Sequence, residues 1–108
     1  MKKSILILAL LFVFVVPSSI FAFTECGVTA NKVYIQLSGE NQVWVCFNEG
    51  GCVYKTGTQL TEAQLSSFYA MALTAKTTGK TLRVRYPEDD LVCPATGHRN
   101  DIRGMWLE

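Results

Sequence analysis

The chain has little histidine and little excess charge of either sign, which narrows the classes of protein it can belong to. It contains one His, with ten Lys and Arg residues against nine Asp and Glu. Such a balance provides no field that would attract nucleic acid or an acidic membrane surface. Zinc is also disfavoured, because Cys46 and Cys52 are separated by more residues than paired zinc ligands usually are. We therefore expect no metal, no cofactor and no nucleic-acid partner.

The chain also lacks an apolar run long enough to cross a membrane. Its longest run, residues 5–16, follows Lys2 and Lys3 and precedes a short segment that ends at the small residue Ala22. This order is typical of a secretory signal, so we expect residues 1–22 to be a signal peptide and residues 23–108 to be one small domain. The mature protein would be secreted or periplasmic, from a Gram-negative bacterium, without membrane insertion. An uncleaved anchor is the less favoured alternative.

All four cysteines lie in residues 23–108, and an even count in an exported small domain indicates two disulfides. Three pairings are possible. A three-residue hairpin loop with Gly50 in the left-handed conformation would set Cys46 opposite Cys52, close enough to bond. That pairing leaves Cys26 to bond with Cys93.

One segment predicts a helix with defined ends. Thr61 and Gln64 have the spacing of a capping box, and Gly79 is the residue type that ends helices. The predicted helix spans residues 62–77, and its core-facing residues would be Leu65, Phe68, Tyr69, Ala72 and Leu73.

Alternation of apolar and polar residues predicts strands on both sides of this helix. In the first of them, Val33, Ile35 and Leu37 would face the core. The predicted strands span residues 32–38, 42–47, 52–55, 80–86 and 101–107. This order, β-β-β-α-β-β, indicates a mainly β protein with one helix, and we expect a small five-stranded OB-like barrel with two disulfides. A sandwich with the helix across an antiparallel sheet is the competing architecture.

Two stretches resemble a known family. Residues 68–86, a helix followed by Gly79 and a strand, are similar to the subtilase cytotoxin B subunit. Residues 80–84 followed by Leu91, Val92 and Cys93 resemble the cholera and heat-labile enterotoxin B subunits. The chain thus resembles the B subunits of bacterial AB5 toxins. The resemblance implies an OB fold, a homopentameric ring, a cell-surface glycan as ligand, a catalytic A subunit as partner and a disulfide that agrees with Cys26–Cys93.

The resemblance also suggests where a glycan would bind. The subtilase-type B subunits contact sialic acid through a Ser before the first strand, and Thr29 lies near that place. Thr29, Tyr34 and Gln36 are therefore the predicted glycan contacts. The enterotoxin subunits have a Trp just after their Cys, but Pro94 follows Cys93 here, so that sugar pocket does not carry over.

Aromatic and basic residues on the outer faces suggest an interface. Trp44 and Tyr54 would form an exposed aromatic patch, which a neighbouring subunit, a glycan or the chain itself must cover. We favour a subunit contact and add Trp106, Arg83 and Arg85 as interface candidates. The two arginines would form ion pairs more readily than a carboxylate-binding site for an acidic sugar.

Other constellations indicate no chemistry. His98 and Asp101 could belong to a hydrolase triad, but no motif for an oxyanion hole accompanies them, so we expect no enzyme. The acidic residues 88–90 lack a calcium-binding loop and are better explained as a solvated loop.

The sequence therefore predicts an exported glycan-binding protein that forms an oligomeric ring, in which weak sites gain avidity by repetition. The alternative is a monomeric periplasmic or envelope protein, a binding module or inhibitor, with the same fold and no glycan site.

Overall fold

The computed structural model describes residues 23–108. The predicted signal peptide, residues 1–22, lies outside the described residues and stays a prediction. Among residues 23–108, no helix has the length and apolar character needed to cross a membrane.

The single helix described, α1, spans Glu62–Thr78 and has the ends that the sequence predicts. The Gln64 backbone N–H donates to the Thr61 hydroxyl at 3.2 Å, and the Thr61 N–H donates to the Gln64 side-chain oxygen at 3.0 Å. Gly79 follows in the left-handed conformation with φ of 70°. Because these signals are local, the helix and both of its ends are confirmed to within one residue.

Within the described part of the chain, seven strands form two sheets. In chain order, β1 to β7 span Thr24–Val28, Ala30–Gln36, Gln42–Phe47, Cys52–Thr56, Leu82–Tyr86, His98–Arg99 and Gly104–Leu107. One sheet has the order β1-β5-β7 and the other β2-β3-β4-β6. Every pair is antiparallel except β4 with β6, which is parallel.

The predicted mainly β architecture with one helix is therefore confirmed, but the prediction of one closed five-stranded barrel is wrong. The first predicted strand is preceded by β1, and Thr29 separates β1 from β2. The chain changes partner at Thr29, since β1 pairs with β5 whereas β2 pairs with β3. The last predicted strand, residues 101–107, begins later than expected, because β7 starts at Gly104 and the short strand β6 precedes it.

The core lies between the sheets and one face of α1. Its most buried strand side chains come from four strands, with 2% exposure or less: Cys26, Val28, Val45, Val53, Leu82, Val84 and Tyr86. The helix contributes Ala72 and Ala75, while Phe68 and Met71 pack against the core only in part. Small residues at the contact let the helix approach the sheets closely. Of the five predicted core-facing residues only Ala72 is fully buried, whereas the buried Ala75 was not predicted.

The first predicted strand differs from expectation at its far end. Val33 packs against the core, but Ile35 and Leu37 are 45% and 74% exposed. The prediction that all three would face the core is wrong for these two. The reason is position, because β2 lies at the edge of its sheet and Leu37 lies beyond the end of β2.

Both disulfides are present with the pairing that the hairpin argument favours. Cys46 and Cys52 are directly opposed in the β3–β4 ladder, and their Cα atoms lie 4.0 Å apart. Cys26 bonds with Cys93 at a Cα separation of 5.6 Å, which ties β1 to the loop after β5. This loop packs closely against the hairpin at Gly51, because Gly51 has no Cβ. A Cβ there would collide with the Ala95 carbonyl oxygen.

Candidate carbohydrate-binding surface

Three aromatic side chains form a row on the outer face of the four-stranded sheet. Tyr34, Trp44 and Tyr54 occupy directly paired positions on β2, β3 and β4. Their ring centroids lie 5.8 Å and 4.2 Å apart, with interplanar angles of 12° and 7°. Paired residues on one face of antiparallel strands lie close enough for such stacking. We call Tyr34, Trp44 and Tyr54 the aromatic ladder.

Polar side chains surround the aromatic ladder. The Lys32 ammonium lies 5.0 Å from the centre of the Tyr34 ring, and the His98 ring meets Trp44 edge-on at 5.0 Å. The Trp44 indole N–H donates to the Gln42 side-chain oxygen at 2.9 Å. That bond uses only the oxygen of the Gln42 amide, so its NH₂ group keeps two donors for a ligand. The surface therefore combines apolar ring area with directional hydrogen-bonding groups.

The predicted aromatic interface is divided between two sheets. Trp44 and Tyr54 are half-buried because each covers the other. Trp106 lies on β7 in the three-stranded sheet, where the Arg85 guanidinium stands 5.2 Å from the centre of its ring. The structure thus joins Tyr34 to Trp44 and Tyr54, and it separates Trp106 from all three.

The predicted glycan contacts are also divided. Tyr34 belongs to the aromatic ladder, and Gln36 follows on the same strand with its amide 3.5 Å from the Ser38 hydroxyl. Thr29 precedes Tyr34 by five residues, which is about 16 Å along an extended strand. Thr29 is therefore separated along the chain from Tyr34 and Gln36, and the three glycan contacts stay a prediction.

The Thr29 side chain is held by residues of the β3–β4 turn. Its hydroxyl donates to Glu49 Oε2 at 2.8 Å and accepts from the Asn48 amide at 2.9 Å. Its backbone N–H donates to Glu49 Oε1 at 2.8 Å. Burial raises the pKa of Glu49, but the hydrogen bonds from Thr29 outweigh burial, and the net pKa is lowered. Glu49 is therefore ionised at neutral pH, and its charge would repel an acidic sugar at Thr29.

The two predicted interface arginines have partners within the chain. Arg83 pairs with Glu108, and Arg85 donates through Nε and Nη2 to Glu25 at 2.9 Å and 2.8 Å. These pairs are partly exposed and add little to stability, as is usual for surface ion pairs. An interface that used either arginine would have to share or replace its carboxylate.

A third arginine, Arg99, forms a denser cluster with two acidic residues, a pairing that the sequence allows. Arg99 donates to Glu88 at 2.8 Å and to both oxygens of Asp101 at 3.0 Å and 2.6 Å, and its guanidinium lies 5.1 Å from the centre of the Tyr86 ring. These hydrogen bonds from Arg99 lower the pKa of Glu88 and of Asp101. The cluster holds the loop after β5 against β6. Only the short spacing of Arg99 and Asp101 signals it in the sequence.

The groups considered for catalysis and metal binding lie apart. His98 packs against Trp44, whereas the Asp101 carboxylate accepts from Arg99. Within residues 23–108, no three His, Cys, Asp or Glu side chains cluster as a metal site would need. His98 belongs instead to the polar groups around the aromatic ladder, because the parallel pairing of β6 with β4 brings it beside Trp44. No sequence pattern predicts this pairing.

The fold and this surface define a mainly β, disulfide-bonded small domain with an aromatic outer face. Comparison of the chain with protein-family models, with curated proteins and with solved structures gives no match.

Proposed function

We propose that residues 23–108 form an exported carbohydrate-binding protein of the AB5 toxin B-subunit kind. The aromatic ladder is the observation that carries this proposal. Sugar rings have apolar C–H faces and a rim of hydroxyls, and they need a surface that offers both apolar area and hydrogen bonds. The ladder supplies the ring area, and the amides of Gln36 and Gln42 supply donors and acceptors at its side.

The strand connections support an OB-like relationship, although the hydrogen-bonded sheets stay open. Only Thr29 separates β1 from β2, and only residues 100–103 separate β6 from β7. If each of these pairs counts as one interrupted strand, five strands follow one another in a circle: β5, β1/β2, β3, β4, β6/β7 and β5 again. This circular order with a helix between the third and fourth strands is the OB arrangement.

Ring formation is supported by an apolar surface at the sheet edge. Ile35 and Leu37, which are 45% and 74% exposed, line a groove with Leu65 and Tyr69 of α1. Large apolar side chains gathered at one exposed edge are typical of a surface that a partner covers. A pentameric ring would bury them and present several weak sugar sites at once, so that avidity replaces affinity. A catalytic A subunit would be the partner of such a ring.

A second candidate function is a monomeric binding or inhibitor protein. The pairing of Arg83 and Arg85 within the chain favours it, since these side chains then need no neighbouring subunit. The stacking of the aromatic ladder favours it as well, because the rings partly cover one another.

A glycan array with two tryptophan variants tests the sugar site. Trp44→Leu removes the central ring of the aromatic ladder, and Trp106→Leu removes the other tryptophan as a matched control. We expect the wild type and Trp106→Leu to bind the same glycans and Trp44→Leu to lose them. Absence of any bound glycan, or equal loss in both variants, would contradict the proposal.

Native mass spectrometry tests the ring separately. We expect a pentamer at micromolar concentration, and we expect Leu37→Ser to shift it toward monomer without loss of β-sheet circular dichroism. A monomeric wild type at this concentration would favour the second candidate.

A further inference from the structure

An open groove runs between the first half of α1 and the start of β7, away from the aromatic ladder. Its volume is about 580 Å³, within the range of sites that hold small molecules. Phe68, Met71, Ile102 and Met105 form its apolar floor. All four side chains pack into or against the core, so the core holds the floor in place. We call this the helix–β7 groove.

Two cations stand on the rim of the helix–β7 groove. The Lys55 ammonium donates to the Asn100 carbonyl at 2.9 Å, which fixes its place and leaves two of its three donors for a ligand. The backbone N–H of Arg103 donates to the Arg85 carbonyl at 2.7 Å, which anchors Arg103 at the start of β7. The Lys55 ammonium is thus fixed by its own hydrogen bond, and the backbone of Arg103 is fixed beside the apolar floor.

Neither cation is neutralised within residues 23–108. The four ion pairs described there involve Arg83, Arg85 and Arg99 only. Asp101 is the acidic residue that acts on Lys55, but both of its oxygens already accept from Arg99.

The electrostatics of Lys55 agree with this geometry. Burial lowers the pKa of its ammonium, the charge of Asp101 opposes this effect, and the positive charge of Arg103 lowers the pKa further. An anion between the two cations would remove their repulsion and supply the acceptors that burial takes away.

We propose that the helix–β7 groove binds an anionic amphiphile, a molecule with one carboxylate head and an aliphatic tail of medium length. The head would lie between Lys55 and Arg103, and the tail would lie along Phe68, Met71 and Met105. The two positive charges favour a negatively charged head group, and the apolar floor favours an aliphatic tail. This site is separate from the aromatic ladder, so the proposal stands or falls independently of carbohydrate binding.

Calorimetric titration of the folded protein with laurate below its micellar concentration tests the proposal. Dodecyltrimethylammonium, which has a cationic head and a tail about one methylene longer, is the ligand control. We expect saturable one-to-one binding of laurate and none of the cation. Decanoate should bind more weakly, since each fully buried methylene is worth about fourfold in affinity.

Four variants locate the site. Lys55→Gln and Arg103→Gln should each weaken laurate binding about tenfold, because each removes a charge-assisted hydrogen bond. Ala63 lines the groove and is exposed, so Ala63→Trp should block it, whereas Ala70→Trp, at an exposed position outside the groove, should bind like the wild type. Circular dichroism verifies that each variant folds.

Three results would overturn the proposal: no saturable laurate binding, equal binding of the cationic amphiphile, or undiminished binding in Ala63→Trp and both glutamine variants. The last result would assign any binding to another surface.

Discussion

Removal of the long-range disulfide should destabilise the protein more than removal of the short one. The bond Cys26–Cys93 spans 67 positions in the sequence, and Cys46–Cys52 spans 6. A crosslink restricts the unfolded chain more when it closes a longer loop. The chain-entropy relation gives about 4.4 kcal/mol for the first bond and about 2.2 kcal/mol for the second.

Packing increases this difference. Cys26 is 1% exposed and lies in the core, so alanine there also removes buried contacts, at a cost of about 1 kcal/mol. Small domains have a total free energy of unfolding of about 5–15 kcal/mol, so loss of the long-range bond takes a large share. At roughly 4–8 °C for each kcal/mol, the expected fall in Tm is about 20 °C or more.

Urea and thermal unfolding of two double variants, followed by circular dichroism, measure this difference. Cys26→Ala with Cys93→Ala is the perturbation, and Cys46→Ala with Cys52→Ala is its control for the loss of a disulfide as such. We expect the first to lose about 2–3 kcal/mol more than the second. Equal losses, or a larger loss in the hairpin variant, would refute the argument that Cys26–Cys93 ties the loop after β5 to the core.

Two further predictions concern the β3–β4 turn and the cluster of Arg99 with Glu88 and Asp101. Gly51→Ala should destabilise the protein at least twice as much as Gly50→Ala. Both glycines have positive φ, for which alanine costs about 1–2 kcal/mol, but only at Gly51 would the added Cβ meet a carbonyl oxygen of the neighbouring loop. Similar melting curves of the two variants would contradict this prediction. Because Arg99 lowers the pKa of Glu88 and Asp101 in the folded state, their stabilisation is present at neutral pH and should be lost as the pH falls below about 4. Arg99→Gln should flatten this acid-side loss of stability in pH-dependent unfolding, and an unchanged acid limb would show that Arg99 is not its cause.

The parts of the fold that the sequence predicts are those with local causes. The capping box at Thr61, the stop at Gly79 and the hairpin that opposes Cys46 and Cys52 each depend on residues a few positions apart. The alternation also placed Trp44 and Tyr54 on one face, and these are two of the three residues of the aromatic ladder.

The parts that escaped prediction depend on contacts between distant segments. Thr29 breaks the first strand, where Glu49 from a turn 20 residues later holds its side chain and backbone N–H. The alternation of apolar and polar residues predicts that Ile35 is buried. Only the order of strands in the sheet shows that β2 is an edge strand. The cations of the helix–β7 groove come from β4 and from the residue before β7, and no sequence pattern links them.

The most direct test of the aromatic ladder as a sugar site uses the indole N–H signals of the protein. The chain has two tryptophans, so its NMR spectrum carries a reporter at Trp44 and an internal control at Trp106. On titration with a glycan selected on the array, we predict that the Trp44 signal shifts in a saturable manner and the Trp106 signal does not. Saturable binding that leaves Trp44 unshifted, or shifts Trp106 instead, would contradict the account.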